Sequence, residues 1–559
     1  MRASNTRSGG QILVDQLVEQ GVEHVFCVPG ESYLAVLDAF HDAKLNVTVC
    51  RQEGGATMMA DASARLTGRP GIAFVTRGPG ATNAMPAIHI AEHDDVPLIL
   101  FVGQVGRDMR ERGAFQEMNY RALFGSTTKW AIEIDDPARI PEVVSRAFHV
   151  AMQGRPGPVV IALPEDMLTE QAAVDDAARV ERIETFPGKQ QIAELQTLLS
   201  RAKAPIVILG GGGWTPQAVD DMRGFAERFA LPVSTVFRRA MLFDYGHPSY
   251  AGELGISPNP KLKARIESAD LVVIVGDRMA ELQSQGYTLF EIPNPRQKLV
   301  HVHADAEELG RVYHPHLGIH ATPVGFCEAL TDLQPPKQIP WADATRQSRA
   351  DYIAWTEKPS SSPGSVHIGE LAIYVRDHIP ADAIITNGAG NFAGWVQRYM
   401  RYRAFGTQLA PTSGSMGYGV PAAVGAKRVN PERTVICFAG DGDFLMNGQE
   451  FATAVQYDLP IVIVLLDNSM YGTIRMHQER EYPGRISATA LKNPDFAAYA
   501  RAFGGHGETV ERTADFGPAF ERAIKSGKPA IIHTKVDPEA ITPTTTLSQI
   551  REKALAARK

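Results

Sequence analysis

Short, continuously apolar runs recur along this chain at 72–75, 97–102, 158–163, 205–209, 271–275, 299–303, 383–386, 435–438, 461–466 and 530–534, with helical segments between them. As a set these runs are continuously apolar and do not alternate, so both faces of the predicted strands should be covered, as in parallel sheets flanked by helices. The chain therefore reads as an α/β protein. Two shifts in composition divide it. Residues 169–189 are charged and lack a sustained apolar pattern. Residues 335–366 carry Pro335-Pro336, Pro340 and Ser360-Ser361-Ser362-Pro363-Gly364. Both stretches read as linkers, which leaves three doubly wound domains near 9–168, 190–333 and 366–537. The tail, 541–559, places Pro543 and three threonines before a charged, helix-like segment. It reads as a solvated C-terminal helix, with a lid as the alternative.

Composition adds exclusions. With 559 residues, 44% hydrophobic and 21% charged, the chain has material for several buried cores. A net charge of -7 without a basic block gives no footprint for nucleic acid. Cys27, Cys50, Cys327 and Cys437 are scattered and form no CxxC pair, which suits buried free thiols in a reducing compartment. Residues 1–9 are polar and no run of 18 apolar residues occurs, so the sequence predicts a cytoplasmic protein without a membrane span.

Candidate chemistry concentrates at two strand ends. Gly440-Asp441-Gly442 follows the run at 435–438, and Asp467-Asn468 follows the run at 461–466, with 27 positions between Asp441 and Asn468. A carboxylate and an amide oxygen at neighbouring strand tips suit a hard divalent cation bound to a diphosphate. Glycines at Gly440 and Gly442 let the main chain approach phosphates closely. In the first domain, Arg51-Gln52-Glu53-Gly54-Gly55 joins a strand at 47–49 to a helix at 57–66, and Gly78-Pro79-Gly80-Ala81-Thr82-Asn83 makes a turn after a buried strand. For Glu53 alone, a helix-dipole partner is the plain reading.

The paired Gly-Asp-Gly and Asn resemble the metal and diphosphate motif of thiamine diphosphate (ThDP) dependent enzymes. The resemblance covers almost the whole chain and is closest to the acetolactate synthase large-subunit-like branch. Further matching pieces are Val28-Pro29-Gly30, Gly78 to Asn83, Ala114-Phe115-Gln116-Glu117, Arg155 to Val159, and Ser413-Gly414-Ser415-Met416-Gly417 with its continuation. The resemblance implies Mg²⁺ held by Asp441, Asn468 and the main-chain oxygen of Met470. Diphosphate and ring contacts would come from Pro29, Gly30, Gly80, Asn83, Gly390, Asn391, Gly440, Gly442, Asp443, Tyr471 and Gly472. Glu53 would bond the aminopyrimidine ring nitrogen and relay the proton that activates the thiazolium carbon. Met416 would wedge the cofactor into a V, and the Gly414 carbonyl would accept from the exocyclic nitrogen. Phe115 and Gln116 would stand beside substrate. Since Glu53 and Asp441 lie on different domains, the resemblance also implies a homodimer or homotetramer with active sites at the subunit interface.

The activated carbon of such enzymes adds to a 2-oxo acid, carbon dioxide leaves, and the enamine either attacks a second carbonyl or takes a proton. A pyruvate-like donor and a carboligase follow from the closest branch. A decarboxylase releasing an aldehyde and a non-catalytic regulatory relative are the alternatives. Two departures bear on the acceptor. Leu282 stands where true acetolactate synthases place an arginine that holds the acceptor carboxylate, so an aldehyde or ketone becomes the expected acceptor. Glu165 stands where those enzymes often have lysine. FAD, suggested by Gly210-Gly211-Gly212-Gly213, is less expected than not. His89 and His93, four apart, could bind zinc but lack a third ligand, which leaves polar helix positions. Glu31 caps the next helix or lines the pocket.

Overall fold

The continuous apolar runs become the central strands of three six-stranded, wholly parallel sheets in the computed structural model, which describes residues 6–558. Residues 1–5, part of the polar start noted above, lie outside the described residues, as does Lys559. The chain divides into two compact units. One comprises residues up to 183 with Pro421–Pro431 and Gln449–Tyr457, and the other holds the remainder.

In the first unit the sheet has the order β2-β1-β3-β4-β6-β5, with β1 His24–Cys27, β2 Asn46–Val49, β3 Gly71–Val75, β4 Leu98–Gln104, β5 Trp130–Glu133 and β6 Pro158–Pro164. Phe74 of β3 stacks on Phe101 of β4 at 4.6 Å and meets Phe40 edge-on at 5.4 Å. Such pairs add about 0.5–1.5 kcal/mol beyond the area they bury. The helix predicted at 57–66 begins earlier, at Glu53, because the Gln52 side chain accepts from the Gly55 N–H and caps it. The charged stretch 169–189 is not wholly irregular: Gln171–Ala172 pairs antiparallel with Arg7–Ser8.

The second unit carries two sheets. The central one has the order β9-β8-β7-β10-β11-β12, from β7 Pro205–Leu209, β8 Val233–Thr235, β9 Tyr250–Glu253, β10 Leu271–Val275, β11 Lys298–His303 and β12 Leu317–His320. The C-terminal one has the order β14-β13-β15-β16-β18-β17, from β13 Ile384–Asn387, β14 Gln408–Leu409, β15 Val435–Gly440, β16 Ile461–Asp467, β17 His506–Val510 and β18 Ala530–Lys535. The 335–366 linker expectation is corrected here, since that stretch holds a 15-residue helix, Ala342–Thr356. Its buried residues are Thr345, Ser348, Asp351, Tyr352 and Thr356, and Trp341 is buried at its N-terminal cap. Trp341 donates to the Phe229 carbonyl at 2.9 Å.

The tail forms the expected helix, of which only Leu547 is buried, and it is docked by one face. Ile541 is fully buried, and the helix Leu547–Ala556 packs on the helix Gly472–Glu481. Arg551 donates twice to Glu479, at 2.7 and 2.8 Å, and Glu479 also accepts from Arg475. These cations hold the Glu479 carboxyl down at about 2, Arg551 contributing most.

Candidate active site

In a doubly wound sheet, ligands bind where the strand order reverses, beyond the carboxyl ends of the two strands that flank the reversal. In the first unit these strands are β1 and β3. They deliver Val28-Pro29-Gly30 and Thr76-Arg77-Gly78 to one crevice, where a Cβ on Gly30 would stand 2.4 Å from the Thr76 Cβ. Only glycine permits that approach. Glu53, at the first helical position after β2, accepts from the Asn83 side-chain amide at 2.9 Å, and Gly80 lies against the same carboxylate. Gln116 adopts a positive φ of 64° beside Gly78, and Phe115 is 73% exposed.

A glutamate outside every motif singled out in the sequence supports this junction. Glu450, fully buried, accepts from the N–H groups of Arg51 and Gln52 at 3.0 and 2.9 Å and from the Thr453 hydroxyl at 2.6 Å. Burial pushes its carboxyl pKa up, and those donors offset part of the cost. The main chain leading into Glu53 is thereby fixed.

In the C-terminal sheet the reversal lies between β13 and β15. The loops that follow them, with the loop after β16, enclose a pocket of about 250 Å³. It is lined by Gly390, Asn391, Gly414, Met416, Gly440, Asp441, Gly442, Asp443, Asn468, Met470, Tyr471 and Gly472, so every residue assigned from this domain by sequence meets in one place. The Asp443 side chain is spent on the protein itself. Its carboxylate accepts from the Ala389 N–H at 3.1 Å and the Gly417 N–H at 2.8 Å, which pins two pocket loops. Burial pushes it up to about 7.

Asp441 is 3% exposed, and burial pushes its carboxyl up to about 6. Behind it, Asn493 donates to Asp441 at 2.7 Å and to Asp467 at 2.8 Å. Asp467 is buried too, yet hydrogen bonds from His533, Lys535 and Asn493 overcome burial and hold it well below the usual carboxylate range. The Phe496 N–H donates to His533 Nδ1, so the ring proton sits on Nε2 and points at Asp467. Asn493 gave no signal in the sequence because it stands alone in a segment without regular structure. A buried carboxylate beside an amide oxygen, in a glycine-lined pocket of this size, fits a divalent cation with a diphosphate: the cation removes the cost of burying the charge.

Other candidates are placed as follows. Arg77 joins two of them, donating to Glu165 at 2.7 Å and Glu31 at 3.1 Å. His89 and His93 lie with ring centroids 5.6 Å apart, and no group of three His, Cys, Asp or Glu among the described residues is arranged to hold a metal. All four cysteines are buried and free. In the central sheet the reversal lies between β7 and β10, but Gly211 packs so closely that a Cβ would meet the Gly276 carbonyl at 1.7 Å, and Trp214 donates to the Gly210 carbonyl. The glycine run is thus consumed by main-chain packing. No helix among the described residues is long and apolar enough to cross a membrane.

Comparison with known proteins agrees with this geometry. The family described as "Thiamine pyrophosphate enzyme, N-terminal TPP binding domain" matches residues 7–123, its central domain matches 192–330, and its C-terminal TPP binding domain matches 388–534. Among curated relatives, the acetolactate synthase isozyme 2 large subunit of Escherichia coli (strain K12) is 31% identical over 95% of this chain and 96% of its own length. The acetolactate synthase large subunit of Parasynechococcus marenigrum (strain WH8102) is 32% identical over 96% and 88%, and the acetolactate synthase of Bacillus subtilis (strain 168) is 28% identical over 95% and 93%. With three family domains in order and this extent of identity, the chain belongs to the thiamine pyrophosphate enzymes, on their acetolactate synthase large-subunit-like branch.

Proposed function

We propose that this enzyme is a ThDP- and Mg²⁺-dependent carboligase that decarboxylates a pyruvate-like 2-oxo acid and joins the remaining acyl fragment to the carbonyl of an aldehyde or ketone. The reaction balances as 2-oxo acid plus acceptor plus one proton giving a 2-hydroxy ketone and carbon dioxide. One observation carries the reading: the pocket that gathers Asp441, Asn468 and Met416 in one unit is matched in the other by Glu53 held by Asn83.

When bound, the cofactor supplies an acidic ring carbon that becomes the nucleophile and a cationic ring that accepts electrons as carbon dioxide departs. The chain's own residues do the rest. Asp441, Asn468 and the Met470 carbonyl would hold the cation, and Gly390, Asn391, Tyr471 and Gly472 would present main chain to the phosphates. Met416 would pack against the cofactor. Glu53 holds a proton at the pyrimidine ring, its carboxylate oriented by Asn83. Residues 9–168, 190–333 and 366–537 serve as pyrimidine-binding, central and diphosphate-binding domains. The matching assembly is a homodimer or homotetramer in which neighbouring copies complete each site, and the cytoplasm suits four free thiols.

The acceptor assignment rests on Leu282, which offers no charge to a carboxylate. Incubation with pyruvate, ThDP, Mg²⁺ and an aldehyde should release carbon dioxide and form an acyloin. Release of free acetaldehyde alone would instead make the enzyme a simple decarboxylase.

A further inference from the structure

The second unit contains a chamber of about 910 Å³ beside the pocket that gathers the assigned cofactor residues. It shares Ala389, Gly390, Asn391, Gly414 and Thr473 with the smaller diphosphate pocket, so the two spaces adjoin. Its volume lies at the upper end of ligand pockets, which run to roughly 1,000 Å³, and is far beyond what a three-carbon keto acid fills. The walls combine an apolar and aromatic side, from Phe237, Ile256, Leu282, Tyr352 and Trp355, with cationic side chains at Arg398, Arg480 and Lys553.

One carboxyl group interrupts that wall. Glu253 ends strand β9 and lines the chamber. Its Oε1 accepts from the Arg238 N–H at 2.7 Å, which is aimed there by a left-handed turn at Arg238, φ 59°. The Arg238 guanidinium is turned elsewhere, donating to the carbonyls of Pro411 and Gly388. The Glu253 carboxyl is half-buried and open to the chamber, so a ligand donor would complete its bonding.

We propose that the chamber seats the acceptor, and that this acceptor is an aldehyde or ketone with an aryl or branched apolar body and a hydroxyl group that bonds to Glu253. Leu282 and Ile256 then contact the body and Glu253 reads the hydroxyl. The proposal rests on the carboligase reading above and narrows its substrate class.

The test uses the full-length enzyme with ThDP, Mg²⁺ and its best 2-oxo acid donor, and compares kcat/KM for acetaldehyde, benzaldehyde and the 3- and 4-hydroxybenzaldehydes. Benzaldehyde should exceed acetaldehyde about tenfold, and one hydroxylated ring should exceed benzaldehyde about tenfold again. Ile256→Trp, or Leu282→Trp should the first fail to fold, should collapse the benzaldehyde-to-acetaldehyde ratio toward one. Glu253→Gln should erase the preference for the hydroxyl and leave the size preference. Carbon dioxide release without acceptor is measured on the same preparations. Release of carbon dioxide with no size or hydroxyl preference, or with preferences that all three variants leave unmoved, overturns the chamber assignment alone. No release from any 2-oxo acid overturns the carboligase reading.

Discussion

The side-chain amide of Asn493 is bonded to Asp441 at 2.7 Å, and through its second hydrogen to Asp467 at 2.8 Å. One residue thus orients the carboxylate assigned to the cation and couples it to the His533–Asp467–Lys535 cluster beneath. Groups that orient metal ligands from behind typically change affinity by about 10–100-fold when removed. Asn493→Ala should therefore raise the Mg²⁺ concentration needed for half-maximal ThDP binding by about that factor. Metal titration followed by intrinsic fluorescence measures it, and an unchanged midpoint would remove Asn493 from the site.

Glu53→Gln keeps the shape of the side chain and removes its acid. Turnover should fall by about 10²–10⁴-fold, while ThDP and Mg²⁺ still raise the melting temperature of the variant. A variant that turns over normally would show that Glu53 only caps its helix.

Glu253 carries a pH signature in stability. Burial raises its folded-state value to about 8, above the ordinary value of about 4.3 for an unfolded glutamate. Between these values the folded state binds more protons than the unfolded state, so stability falls as pH rises through that window. Arg238, Tyr250, Tyr352 and Tyr402 are its charged or titratable neighbours. Relative to the parent enzyme, Glu253→Gln should gain melting temperature progressively from pH 5 to 8.5. Parallel melting curves across that range would contradict the assignment.

Glu479 behaves with the opposite sign. Arg551 and Arg475 hold it down at about 2, so its contribution is fully present above the ordinary glutamate range and is lost as pH falls toward 2. Arg551→Ala removes two charge-assisted hydrogen bonds and should cost about 1.5–3 kcal/mol of tail docking. Limited proteolysis should then cut within Leu547–Ala556 faster than in the parent enzyme. Equal cutting rates would mean that Ile541 and Leu547 anchor the tail without the ion pair.

How much of this was written in the chain depends on burial. Strands covered on both faces, such as Val435–Gly440 and Ile461–Asp467, have no polar positions to break their apolar runs and were legible. The edge strands Trp130–Glu133 and His506–Val510 are half-exposed or polar and left no continuous run. The helix Ala342–Thr356 was hidden because four of its five buried residues, Thr345, Ser348, Asp351 and Thr356, are polar. At the site, the residues within local motifs were legible because close main-chain approach demands glycine beside the functional group. Glu450 and Asn493 act across hundreds and tens of positions respectively, and nothing in their own neighbourhoods marks them.

The bond between Glu450 and the amides of Arg51 and Gln52 also determines how this polypeptide can be cut. The first unit borrows Pro421–Pro431 and Gln449–Tyr457 from late in the chain. Gly425 lies against Met59, and the Tyr457 hydroxyl accepts from the Val49 N–H at 2.8 Å. A fragment ending at residue 183 would bare that seam and take the Glu450 acceptor from the Arg51 and Gln52 amides. Neither half is a free-standing module: any recombinant dissection, domain swap or circular permutation must carry both late segments along with the first.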